Sequence, residues 1–247
     1  MSAGSAGNPG MDPRNPGADP AEIGKFERLA HRFWDPLGEF RPLHTINPVR
    51  TAWIAERCSL AGARGLDVGC GGGLLCESLT AAGARMTGID LAPTMLDTAR
   101  LHAAEQGLAI DYRLMPVDQL ARETPDGFDV VSCMEMVEHV PDPRLIIDSI
   151  GRLVRPGGHV FISTLNRNPK SFATAIVAAE YLLRLVPRGT HEYERLVRPS
   201  ELARWARGAG LTLQAVAGIS FDPFTRTARL SADPSVNYLA HFTRAAG

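Results

Sequence analysis

Gly69, Gly71 and Gly73 stand at alternate positions directly after the run Leu66-Asp67-Val68, and a helical pattern begins at once with Leu74. Glycine permits backbone angles and close approaches that a Cβ forbids, so a ligand can lie against bare backbone at this turn. Asp67 places one carboxylate in the strand that feeds the turn. Asp90 places another at the end of the next predicted strand, where it can hydrogen-bond ribose hydroxyls. The stretch therefore reads as a site for an adenosyl group. The dinucleotide fingerprint G-x-G-x-x-G would need a third glycine where Leu74 stands. A pyrophosphate would also need helix amides aimed at an anion. The pattern here is Asp-x-Gly-x-Gly-x-Gly, and an acid in the first strand suits a cofactor with cationic groups. S-adenosylmethionine, with a sulfonium and an amino-acid end, is favoured over NAD.

A second cluster follows the fourth predicted strand: Cys133-Met134-Glu135-Met136-Val137-Glu138-His139-Val140-Pro141-Asp142-Pro143. Methionine is polarizable and suits the wall of an adenine pocket, which places Met134 beside the cofactor. Glu138 and His139 admit three readings. They can serve as a general base, since histidine titrates near neutral pH and a phenol near 10 needs help to ionise. With Glu135 they can ligate a divalent metal such as Mg²⁺ or Zn²⁺. Or Glu138 is structural, capping the next helix or pairing with an N-terminal arginine.

Elements that would position these groups alternate along the chain. Strands are predicted at 65–68, 85–90, 110–114, 128–134 and 159–164, and helices at 74–82, 93–106 and 143–154. Gly83, Gly107 and Pro156-Gly157-Gly158 are the stop signals. Such alternation implies an α/β fold with a mostly parallel sheet and helices on both faces. Ligands bind at the carboxyl ends of such strands, which gathers Gly69, Asp90 and Met134 at one edge. Two helices, at 21–32 and 48–59, precede the sheet and could cover the cleft; Pro48 marks the start of the second. After the fifth strand come an apolar helical pattern at 171–186, a helix at 199–210, and two final strands at 211–219 and 236–243 that are expected to pair antiparallel.

The chain has 247 residues and fits one domain spanning 21–247 with additions. Residues 1–20, rich in Gly, Pro, Ala and Asn, read as a disordered tail with no secretory signal. A net charge of −1 gives no electrostatic reason to expect nucleic acid. The four cysteines form no C-x-x-C pair, which favours reduced thiols in a cytoplasmic setting over a disulfide framework. No apolar run reaches the ~20 residues that span a bilayer.

The segments Phe40-Arg41-Pro42-Leu43-His44, Ile46-Asn47-Pro48-Val49-Arg50, Leu66 to Gly73, Cys133 to Pro143, Ser163-Thr164-Leu165-Asn166-Arg167-Asn168 and Val236-Asn237-Tyr238 resemble the ubiquinone-biosynthesis O-methyltransferases. The resemblance covers about residues 21–243. The glycine motif alone indicates a class I methyltransferase; the Phe-Arg-Pro-Leu-His and Asn-Arg-Asn segments are more specific. It implies a Rossmann-like fold with a seven-stranded sheet and an antiparallel C-terminal strand. It also implies S-adenosylmethionine-dependent methylation of phenolic hydroxyls on polyprenylated precursors, 2-polyprenyl-6-hydroxyphenol and 3-demethylubiquinol. The family's cofactor positions fall on Arg50, Gly69, Asp90 and Met134, beside Asp67 and Gly71 from the motif itself. Arg50 could grip the methionine carboxylate bidentately. Relatives bind magnesium through an acidic pair followed by histidine, and the matching residues are Glu135, Glu138 and His139. His139, Glu138 and His44 are the candidate bases.

A polyprenyl substrate must come from a membrane. Residues 171–186 carry Phe172, Ile176, Val177, Tyr181, Leu182, Leu183 and Leu185. Between Leu165 and Arg198, six Lys/Arg against three Asp/Glu leave +3, which suits an anionic surface at the inner face of the membrane. This helical insertion, about 168–198, is expected to dock on lipid or in a ubiquinone-biosynthesis complex; a buried helix or a dimer contact is the alternative. The competing functions are methylation of another small aromatic, a nucleotide-dependent oxidoreductase, and a non-catalytic scaffold.

Overall fold

The computed structural model describes residues 19–35, 37–171, 193–222 and 225–246. The tail at 1–18 and most of the apolar insertion, 172–192, lie outside the described residues. Eight strands form one sheet: β1 (Arg64–Val68), β2 (Arg85–Asp90), β3 (Asp111–Leu114), β4 (Phe128–Met134), β5 (Val154–Leu165), β6 (Leu211–Asp222), β7 (Thr227–Ser231) and β8 (Asn237–Arg244). Their order is β3-β2-β1-β4-β5-β8-β6-β7. The first five run parallel, and β8, β6 and β7 pair antiparallel. The expected seven strands become eight because β7, a short edge strand with exposed Thr227, Arg229 and Leu230, hairpins back onto β6. Its sequence alternates too weakly to announce a strand.

Helices α3 (Leu74–Ala81), α4 (Pro93–Glu105) and α6 (Pro143–Leu153) fall where the periodicity puts them. The described residues also contain α5 (Val117–Glu123), which the pattern did not mark, α7 (described over Pro169–Ser171), and α8 (Pro199–Gly208). β5 begins at Val154 rather than at residue 159. Val154 pairs with Phe128, the register then shifts, and His159 pairs with Val130, so the predicted stop at Pro156-Gly157-Gly158 is a bulge inside the strand.

Two apolar cores lie on the two faces of the sheet. Val131, Val160 and Ile162 face α5, α6 and α8; Val130, Phe161 and Leu239 face α3, α4 and the N-terminal region. That region starts with α1 (Pro20–Leu29), capped by Asp19, which accepts from the Ala21 amide. A 3₁₀ turn at Ala30–Arg32 follows, then α2 (Arg41–Ala55). α2 corrects the expected helix at 48–59. It starts a full turn and more earlier, because Pro42 occupies its first turn and Pro48 sits inside it. An interior proline costs a helix about 3 kcal/mol. Burial of Ile46, Trp53 and Ile54 on one face offsets this, and the Asn47 amide ties α2 to α3 through Leu74 O (3.3 Å) and Ser78 Oγ (2.8 Å).

Candidate active site

The strand order reverses between β1 and β4, and the crevice outside their carboxyl ends is the expected ligand site of such a sheet. A cavity of about 210 Å³ lies there. Its floor is the glycine turn. Gly69 (φ +72°) and Gly71 (φ +52°) hold left-handed backbone angles, and a Cβ on Gly69 would come within 2.7 Å of Met136 Cγ. The turn thus leaves a cradle that side chains would fill. Gly73 has a different reason to be glycine: a Cβ there would meet Tyr112 Oη on β3 at 2.2 Å.

Asp67 and Asp90 both line the cavity. Ser132, the register partner of Asp67 on β4, donates its hydroxyl to Asp67 Oδ1 at 2.6 Å. Burial nonetheless pushes the Asp67 carboxyl up to about 7, against the opposing pull of Ser132 and Arg50. Asp90 accepts the Gly71 amide at 2.8 Å and the Leu91 and Ala92 amides at 2.7 and 2.9 Å, so it staples the glycine turn to the end of β2. A carboxylate has about four lone-pair sites, which leaves capacity for a ribose hydroxyl.

Arg50 also reaches the cavity wall, 4% exposed, with Nη2 2.5 Å from Glu135 Oε1. Its Nε is buried with no hydrogen-bond partner, a donor suited to an incoming carboxylate. The N-terminal pairing envisaged for Glu138 is thus made by Glu135, and the helix cap is made by Asp142, which accepts from the Arg144 amide. Met134 lines the cavity beside Met136.

The three residues with a metal-binding reading go separate ways. Glu135 holds Arg50 and accepts from Ser163 Oγ at 2.7 Å. Glu138 accepts from Thr164 Oγ1 at 2.8 Å and is not among the cavity's lining residues; burial, reinforced by Glu135, pushes it up to about 7. His139 lines the cavity and binds Glu22 through Nδ1 at 2.9 Å. Among the described residues no three His, Cys, Asp or Glu side chains gather as a metal site. As they stand these residues do not fit a magnesium centre. Of the candidate bases, His139 meets the cavity. His44 instead bonds the Phe33 carbonyl with Nε2 at 2.8 Å.

Sequence reasoning expected the N-terminal helices over the cleft but did not single out the residues that line it. Ile23 and Phe26 of α1, and Phe33, Phe40 and Leu43, line the cavity from above. Trp34 stacks on His102 at 3.5 Å and donates Nε1 to Gly72 O at 3.1 Å, which presses Phe33 onto the glycine turn. The Phe40–His44 motif is therefore roof and helix start. The Asn166–Asn168 motif is a clamp: Asn166 and Asn168 donate to Pro234 O (3.0 Å) and Ser235 O (2.5 Å). Leu91 and Met115 to Asp118 complete one end of the cavity; their position after β2 and β3 was the available signal.

A methyltransferase-domain family model matches residues 37–216. The ubiquinone biosynthesis O-methyltransferase of Bordetella bronchiseptica is 58% identical over 222 residues, 90% of this chain and 92% of its own. That of Stutzerimonas stutzeri is 54% identical over 221 residues, 90% and 95% of the two chains. Among solved structures, a magnesium protoporphyrin IX methyltransferase from Synechocystis with bound S-adenosylhomocysteine superposes with a TM-score of 0.68 at 17% identity, over 90% of this chain and 94% of that one. That likeness is one of fold. At the level of sequence, the chain belongs to the family of ubiquinone biosynthesis O-methyltransferases.

Proposed function

We propose that this chain transfers a methyl group from S-adenosylmethionine to a phenolic oxygen of polyprenylated ubiquinone precursors, both 2-polyprenyl-6-hydroxyphenol and 3-demethylubiquinol. The observation that carries the reading is a single cavity walled by glycine backbone, Asp67, Arg50 and His139. When bound, the cofactor supplies a methyl group already activated by sulfonium charge, so the protein must supply alignment and an ionised phenol. Asp67 would receive the ammonium end, Arg50 the carboxylate and Asp90 the ribose. Met134 and Met136 offer polarizable walls. Phe26, Phe33, Phe40 and Leu43 exclude water from above, and α1 to α2 serve as a lid. His139 accepts the phenolic proton. The test is turnover of short-tailed analogues of both precursors, with and without EDTA. Methylation of neither analogue would refute the reading. Loss on chelation with recovery in Mg²⁺ would transfer the base role of His139 to a metal held with Glu135 and Glu138.

The polyprenyl tail implies a partner surface. Among the described residues no helix is long and apolar enough to cross a membrane. The insertion around residues 171–186, flanked by Arg167, Lys170, Arg188, Arg195 and Arg198, is proposed to dock the enzyme peripherally at the inner face of the membrane, near other ubiquinone-biosynthesis proteins. Deleting residues 172–186 should abolish sedimentation with anionic liposomes; unchanged sedimentation would refute this part.

A further inference from the structure

Phe33 covers the glycine turn, and it is held there from outside the cavity. A Cβ added to Gly72 would stand 2.2 Å from Phe33 Cδ1, and one added to Gly71 would stand 3.7 Å from its Cε2. Its neighbour Trp34 makes the attachment. The indole lies flat on the imidazole of His102, with 3.5 Å between ring centroids and 7° between planes. It also donates Nε1 to the Gly72 carbonyl at 3.1 Å. His102, in the last turn of α4, is fixed in its turn: its Nδ1 lies 2.8 and 2.9 Å from the two carboxylate oxygens of Glu77. Glu77 is a buried residue of α3, and its amide donates to the Gly73 carbonyl at 3.0 Å. The chain of contacts therefore runs from the glycine turn, through α3 and α4, back to the ring above the turn. Phe33 lines the cavity; Trp34, His102 and Glu77 do not.

We propose that His102 is a positioning residue for cofactor binding: seated on Glu77, its imidazole carries the Trp34 indole and thereby holds Phe33 over the glycine turn, so that this stack sets how long the cofactor stays bound. Lifting Phe33 off the turn requires Trp34 to part from His102 and from Gly72 O. A histidine suits the seat because it offers a flat face to the indole and an Nδ1–H to the carboxylate, which fixes the plane of the ring. Loss of the stack speeds cofactor release without removing any group that touches cofactor or substrate. The inference rests on the cofactor lying in the roofed cavity.

The test is the dissociation rate of radiolabelled S-adenosylhomocysteine from the full-length protein, read by rapid displacement with unlabelled ligand. His102→Ala should raise the rate by about 3- to 10-fold, the range that an aromatic pair contributes. KM for S-adenosylmethionine should rise with it, while kcat at saturating cofactor should fall by less than about twofold. His102→Phe, which keeps a flat ring under Trp34, should release the ligand within about twofold of the wild-type rate. It leaves Glu77 without its partner, a loss that chemical denaturation reads separately. His102→Gln, which keeps a donor for Glu77 but no ring, should behave as His102→Ala does. In a Trp34→Ala background, His102→Ala should change the rate by less than about twofold, because the two rings act as a pair. An equal acceleration in both backgrounds would overturn the proposal and assign His102 to the packing of α4 on α3. So would an unchanged rate in His102→Ala, or recovery by glutamine and not by phenylalanine. Should the alanine variant fail to fold, the contrast between the phenylalanine and glutamine variants decides alone. Wild-type protein that binds no S-adenosylhomocysteine would overturn the reading of the cavity itself, and this inference with it.

Discussion

Arg50 and Glu135 meet across the site at 2.5 Å, from α2 and from the residue just after β4. Glu135 adopts φ +49°, a left-handed conformation that costs a non-glycine residue about 1–3 kcal/mol. The same Oε1 also accepts from Ser163 Oγ, so both partners over-determine where the carboxylate points. Its effect is to hold a buried guanidinium at the cavity wall. Arg50→Ala should weaken S-adenosylhomocysteine binding by about 10- to 100-fold, the loss of a charged hydrogen bond worth about 1.5–3 kcal/mol. Glu135→Gln should weaken it less, and the two changes should couple by about 1 kcal/mol or more in a double-mutant cycle read by calorimetry. Additive effects would show that Glu135 does not orient Arg50.

Asp67 makes cofactor binding depend on pH. Burial holds its carboxyl near 7 in the ligand-free protein, whereas an unfolded chain titrates near 3.9. Between those values the folded state keeps a proton that the unfolded chain has lost, so this group's contribution to stability falls as pH rises from about 4 to about 7. A cationic ammonium beside Asp67 favours the charged form. Binding below pH 7 should therefore expel a proton, and affinity should fall on acidification by at most about tenfold per pH unit. Calorimetry in two buffers of unlike ionisation heat should detect close to one proton released at pH 6 and few at pH 8. Equal release by Asp67→Asn would assign the proton elsewhere.

Gly72 lets the lid pack directly on the cofactor turn. A Cβ at this position would stand 2.2 Å from Cδ1 of Phe33 and 2.5 Å from its Cγ, atoms near the root of a buried ring that cannot swing aside. Gly72→Ala should lift Phe33, break the Trp34 bond to Gly72 O, and destabilise the protein by about 1–3 kcal/mol, the usual cost of overpacking. Trp34→Ala should raise KM for the cofactor without that overpacking penalty. Chemical denaturation and initial-rate kinetics separate the two; identical effects of both substitutions would refute this division.

The parallel half of the fold was legible because its signals are local. Strands of alternating or continuous apolar residues end at Val68, Asp90 and Met134, and helices stop at Gly83 and Gly107, so β1 to β4 and α3, α4 and α6 follow from short windows. α2 was misplaced because Pro42 and Pro48 both satisfy the preference for proline at a helix start, and packing of Trp53 and Asn47 decided between them. The cofactor candidates Arg50, Asp67, Gly69, Gly71, Asp90 and Met134 come together in one cavity. The partners that tune them did not show in the pattern. Glu22 to His139 and Arg50 to Glu135 are contacts between residues far apart in sequence, and no spacing rule reaches across 117 or 85 positions. Glu138 illustrates the converse: its neighbours in sequence suggest chemistry, while the 3₁₀ turn at Val137–His139 directs it to Thr164.

The central claim is that oxygen of a polyprenyl phenol receives the methyl group. It is tested most directly by incubating the full-length enzyme with S-adenosylmethionine carrying a deuterated methyl group and a short-tailed 2-polyprenyl-6-hydroxyphenol, then locating the label by NMR and mass spectrometry. The account predicts one deuterated methoxy group per product and an equal yield of S-adenosylhomocysteine. A label on ring carbon, or an unmodified phenol in the presence of bound cofactor, would contradict it.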